Sequence, residues 1–118
     1  MLKVKYGKVE LTIRRATVRD DLNRQVMKAK LEDGVPDGTF GFWRIFAELV
    51  SQTVKAKGLP FDPAALAHAD KATLDAAYDQ FLDLDKELKD RWTDAVVQAN
   101  QPVDEVGVAA IGDADPNN

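Results

Sequence analysis

Residues 72–100 read ATLDAAYDQFLDLDKELKDRWTDAVVQAN, and Leu74, Tyr78, Phe81, Leu88, Trp92 and Val96 recur along them at steps of three, four or seven. That spacing lays one apolar stripe along a helix. It predicts a long last helix, capped at Asp70 or Thr73 and ended by Pro102. Asp75, Asp79, Asp83, Glu87, Asp90 and Asp94 fall away from the stripe, mostly at four-residue steps. Carboxylates in such a row could hold Mg²⁺ or move protons. On the wet side of a helix they read as a solvated face, helped by weak pairs such as Asp85 with Lys89 and Glu87 with Arg91. Asp83-Leu84-Asp85 lacks the glycine and oxygen spacing of a calcium loop.

Upstream, Leu2, Val4 and Tyr6 alternate with Lys3 and Lys5, and after Gly7-Lys8, Val9, Leu11 and Ile13 alternate with Glu10, Thr12 and Arg14. A period of two around a central glycine predicts a β-hairpin with one apolar and one basic face. Thr17 then reads as a helix N-cap with Asp20 in the capping-box position. Val18, Leu22, Val26 or Met27, and Leu31 supply the apolar stripe of that helix, which Asp33-Gly34-Val35-Pro36-Asp37-Gly38 breaks. From Phe40 to Lys57 the apolar positions 42, 45, 46, 49, 50 and 54 predict a second helix, closed by Gly58. Asp62-Pro63 opens a short helix to about Ala69. The fold class expected is α+β and mainly α: an N-terminal β-hairpin followed by three or four helices, the last one long. Residues 1–101 make a single domain and residues 102–118 a flexible acidic tail.

A chain of 118 residues carries one modest core, and an apolar fraction of 45% suits a folded domain. There are no cysteines, which removes disulfides, thiolate catalysis and cysteine-based zinc sites. The N-terminus lacks an apolar run of signal-peptide length and nothing approaches a membrane span, so a cytoplasmic location without membrane contact is expected. The net charge of −4 has a layout. Residues 1–30 hold nine basic and three acidic side chains, +6, whereas residues 62–94 hold four basic and nine acidic, −5. Such polarity can steer association between copies or with a charged partner, or simply mark two solvated faces of one domain.

Reaction chemistry finds little to use. His68 is the single histidine and Ser51 the single serine, so neither a transition-metal shell nor a serine nucleophile with a histidine base is credible. Gly34, Gly38 and Gly41 lack the Lys-Ser/Thr ending of a phosphate loop. No enzyme activity, cofactor or metal is expected. The basic cluster Lys3, Lys5, Lys8, Arg14, Arg15, Arg19 and Arg24 could track phosphates, with Arg14, Arg15, Arg19 and Arg24 on one exposed face as the deciding feature, but the sequence pI of about 4.9 argues against nucleic acid as a partner. Phe40, Phe42, Trp43 and Phe46 crowd four rings into seven residues, more than one helix face easily hides. Most serve the core, and one or two are expected to reach another protein. The candidate partner-binding residues are therefore Phe40, Phe42, Trp43 and Phe46, with Arg14, Arg15 and Arg19.

The hairpin Val4-Lys5-Tyr6-Gly7-Lys8-Val9-Glu10-Leu11, then Ile13-Arg14-Arg15-Ala16-Thr17-Val18-Arg19-Asp20, helices and an acidic tail, resembles the tail assembly chaperones of long-tailed bacteriophages. The resemblance implies a small, mostly helical, self-associating protein without a catalytic site, working in the host cytoplasm. It further implies that the protein keeps the tape-measure protein soluble and recruits tail-tube subunits to it. Two other expectations stand beside it: a small virion or tail-completion subunit, and a nucleic-acid-binding accessory protein.

Overall fold

The computed structural model describes residues 1–32 and 41–102. Strands β1 (Leu2–Tyr6), β2 (Val9–Ile13) and β3 (Thr53–Lys57) form one antiparallel sheet in the order β1-β2-β3. Helices α1 (Val18–Glu32), α2 (Phe42–Ser51), α3 (Lys71–Leu82) and α4 (Lys86–Ala99) complete the α+β, mainly helical architecture. The hairpin register pairs Leu2 with Ile13, Val4 with Leu11 and Tyr6 with Val9. These residues face α4, while Lys3, Lys5 and Glu10 face water. Gly7 turns the hairpin at φ 58°.

The third strand corrects the expectation of helix through Lys57. Helix α2 stops at Ser51, and the chain turns back along β2, with the Arg14 N–H donating to the Gln52 carbonyl at 3.1 Å. Gln52 and Thr53 are buried, and their side chains pin the turn. The Thr53 hydroxyl donates to the Leu49 carbonyl at 2.7 Å and accepts the Trp92 indole N–H at 2.9 Å. Gln52 Nε2 donates to the Arg14 carbonyl and to Asn100 Oδ1, each at 2.9 Å. Beyond the turn, Val54, Lys55, Ala56 and Lys57 alternate as a strand requires. Gly58 ends the strand at φ +83°, and a Cβ there would lie 2.5 Å from the Lys8 carbonyl oxygen. Gly58→Ala is therefore expected to cost about 1–3 kcal/mol in a urea melt; an unchanged midpoint would contradict this packing.

The predicted long last helix is two. Its six stripe residues are all buried as expected, but the chain bends at Asp83–Asp85. Asp85 caps α4, its Oδ1 accepting the Glu87 N–H at 2.8 Å and the Tyr6 hydroxyl at 3.0 Å. In one straight helix Phe81 and Trp92 would sit roughly 16 Å apart along the axis. The bend brings their ring centroids to 6.2 Å in a T-shaped contact. Two aspartates around one leucine favour such a break, because their side chains compete for backbone N–H groups. Of the expected surface pairs, Arg91–Glu87 forms at 2.6 Å, but Lys89 pairs with Asp90 at 2.9 Å and not with Asp85.

Asp70 caps α3 through the Thr73 N–H at 2.9 Å. The short helix after Asp62 reduces to a 3-10 turn, Pro63–Ala65. Of the predicted tail, residues 102–118, all but Pro102 lie outside the described residues.

Candidate functional site

On α1 the core-facing side chains are Asp20, Met27 and Leu31. Val18, Leu22 and Val26 point the other way, 90%, 57% and 39% exposed. At 100° per residue Val18, Leu22 and Ala29 lie within about 40° of one another, with Val26 at their edge. The single stripe expected from Val18 to Leu31 is thus two faces, one buried and one open.

The rotation arises at the start of the helix. The capping box forms as expected: Asp20 N donates to Thr17 Oγ1 at 3.1 Å and Thr17 N to Asp20 Oδ2 at 3.0 Å. It carries the Asp20 carboxylate inward, where Arg14 Nη2 and Nε meet its two oxygens at 2.5 and 3.1 Å. Burial pushes the Asp20 carboxyl up, but the Arg14 and Thr17 hydrogen bonds together outweigh burial and hold it below the usual range. The hydrogen bond with Asp20 raises the partly exposed Arg14 guanidinium in turn. A paired inward carboxylate at position 20 sets Met27 and Leu31 inward and leaves Val18 and Leu22 outside.

The ion pair makes stability depend on pH with a definite sign. Because its folded pKa is depressed, Asp20 contributes stability that is present above the ordinary carboxylate range and lost as pH falls through the folded pKa. Asp20→Asn should lower stability by about 1–3 kcal/mol at neutral pH and flatten the acid limb of the unfolding curve. Parallel acid limbs in the two proteins would exclude this ion pair as a source.

The residues chosen from sequence separate. Phe46 is fully buried, its ring 5.8, 5.5 and 5.1 Å from those of Phe61, Tyr78 and Phe81. Trp43 is 7% exposed, with the Arg44 guanidinium 5.0 Å from its ring centroid. Both rings belong to the core of the folded chain, because α2 is flanked by the 3-10 turn, α1, α3 and α4 together and hides more than one stripe. Phe42, at the first turn of α2 and 43% exposed, remains open; Phe40 lies outside the described residues. Phe42 borders Leu82, itself 46% exposed, and with Leu84, Lys86 and Lys89 lines a shallow hollow of about 130 Å³.

The arginines do not form one open face. Arg14 holds Asp20, Arg24 pairs with Asp21 and lies 3.7 Å from Glu48, and Arg15 donates to the Gln101 carbonyl. Arg19 is exposed and forms no ion pair among the described residues. Arg15, with Asn100 Oδ1 accepting the Ala16 N–H at 3.0 Å, fastens the end of α4 beside the start of α1.

His68 is exposed, and among the described residues no three His, Cys, Asp or Glu side chains converge to hold a metal. A cavity of about 270 Å³ beside Arg14 and Asp20 presents Met27, Val50, Ser51 and Thr53. The arrangement offers apolar side chains for packing, with its inward carboxylate already bonded to Arg14. Scanning protein-family models, curated proteins and solved structures gives no match to the chain.

Sequence reasoning missed the open α1 face. The signal was present as a conflict: positions 18, 22 and 26 make one stripe, and 20, 27 and 31 another. Only the partnership of Asp20 with Arg14 decides between them.

Proposed function

We propose that this chain is a non-enzymatic protein-binding chaperone of phage tail assembly. In this reading it keeps the tape-measure protein soluble in the host cytoplasm and recruits tail-tube subunits to it. The observation that carries the reading is the open apolar face of α1, Val18, Leu22 and Val26, on a helix whose other side is already packed. An elongated, mostly helical client presents long apolar stripes, and a helix face of this kind accepts such a stripe at three- and four-residue steps. The Phe42–Leu82 surface supplies a second apolar contact. Among the described residues no helix is long and apolar enough to cross a membrane, so these apolar faces are not parts of a spanning helix.

The test is co-expression of a tape-measure protein with this chain. The chaperone should raise the soluble fraction of the client and be missing from finished particles. A protein that leaves client solubility unchanged and stays in the particle is a virion or tail-completion subunit instead.

A further inference from the structure

Cross-strand register extends the basic face expected of the hairpin across a third strand. Lys3 pairs through Thr12 with Lys55, and Lys5 through Glu10 with Lys57, so these six side chains share the outer face of the sheet. The four lysines are exposed and none joins an ion pair among the described residues. Four lysines against Glu10 leave +3 on a patch three strands wide, about 10 Å across. Two of them, Lys55 and Lys57, belong to the strand that replaced the end of the expected helix.

A complementary surface lies elsewhere on the same molecule. Helix α3 buries Leu74, Ala77, Tyr78 and Phe81 and exposes Asp75 and Asp79 on the opposite side, with Asp83 exposed at its C-cap. Lys71, bonded to Asp75 at 3.0 Å, is the basic residue of that helix; Asp79 and Asp83 form no ion pair among the described residues. Helix α3 packs on α1 and α2, with Phe81 against Trp92 of α4, and its backbone comes close to no strand of the sheet. One molecule therefore cannot close its basic face on its acidic one. A second copy can.

We infer that the lysine face of the sheet docks on the Asp75–Asp79–Asp83 face of α3 of a second copy of this chain. The contact is heterologous, since two different patches meet, so it propagates from copy to copy into rings or rows. Its residues are separate from those of the open α1 face, so it goes beyond client binding. Both charged faces are polar, so the contact is steered by charge and screened by salt.

Sedimentation velocity of the purified chain at about 50 mM and about 500 mM salt tests this. Association at low salt that dissolves to monomer at high salt is expected. Lys55→Glu/Lys57→Glu and Asp75→Lys/Asp79→Lys should each sediment as monomers, with unchanged circular dichroism. Mixing the two reversed proteins should restore association. Monomers at every salt concentration, association untouched by either reversal, or no rescue on mixing would overturn the inference. So would retention of a DNA duplex by the lysine face in place of another copy. Because the reversed proteins keep Leu22 and its neighbours, they should still hold the client soluble; loss of that property in Leu22 variants alone concerns the client reading, not this contact.

Discussion

Trp92→Ala lowers the unfolding free energy by about 3–5 kcal/mol, a large share of what a domain of this size possesses. The ring is fully buried, packs edge-on against Phe81, and donates its N–H to Thr53. Its removal leaves a cavity where the sheet, α2 and α4 meet and strips the Thr53 hydroxyl of its donor. Trp92→Phe separates the two contributions: it restores most of the volume and should recover all but about 1–2 kcal/mol, the cost of the missing hydrogen bond. Urea unfolding followed by circular dichroism measures both. A loss below about 1 kcal/mol for Trp92→Ala would mean that α4 does not anchor β3 as described.

Leu22→Asp should do the reverse, leaving the fold alone and removing the activity. The side chain is more than half exposed on the outer face of α1, so its replacement should move stability by no more than about 0.5 kcal/mol. Burying a leucine against a client contributes about 1.5–3 kcal/mol, so client affinity should fall roughly tenfold or more. Trp43→Ala gives the opposite pattern, because Trp43 is 7% exposed: the protein loses stability before it loses contact with a partner. Pull-down of the client with each variant, alongside its melting curve, separates the two. Equal client binding by Leu22→Asp and the parent would remove α1 from the account.

Where residue spacing admitted one solution, the fold was legible. The hairpin, the capping box of Thr17 with Asp20 and the buried stripe from Leu74 to Val96 come from local pattern and hydrogen-bond chemistry, whereas the choice of Asp70 over Thr73 as the cap of α3 is made by the structure. It was not legible where two periods fitted the same letters. Residues Leu49, Val50 and Val54 suit a continuing helix, and only the tertiary bonds of Gln52 and Thr53 to Arg14, Asn100 and Trp92 turn Thr53–Lys57 into a strand. At the bend, Asp85 caps α4 locally through the Glu87 N–H, and Tyr6, 79 residues earlier, adds a hydrogen bond to the same carboxylate only in the folded chain.

The interaction surface shows the same limit more sharply. Rings signal contact area wherever they occur, but whether Phe46 or Phe42 faces water depends on how many elements surround α2. Arginines signal anion binding, yet Arg14 and Arg24 are held by carboxylates of α1 and α2. The lysines of β3 could join the hairpin's basic face only once the strand was known.

The most direct test of the central idea uses the absence of native cysteine. Ala29→Cys places one thiol on the exposed side of α1, where an environment-sensitive fluorophore can be attached. On titration with tape-measure protein, the emission should shift to the blue and the label should become shielded from a soluble quencher. A label that stays fully quenchable while the client is held soluble would contradict the account, because binding would then be taking place on some other surface.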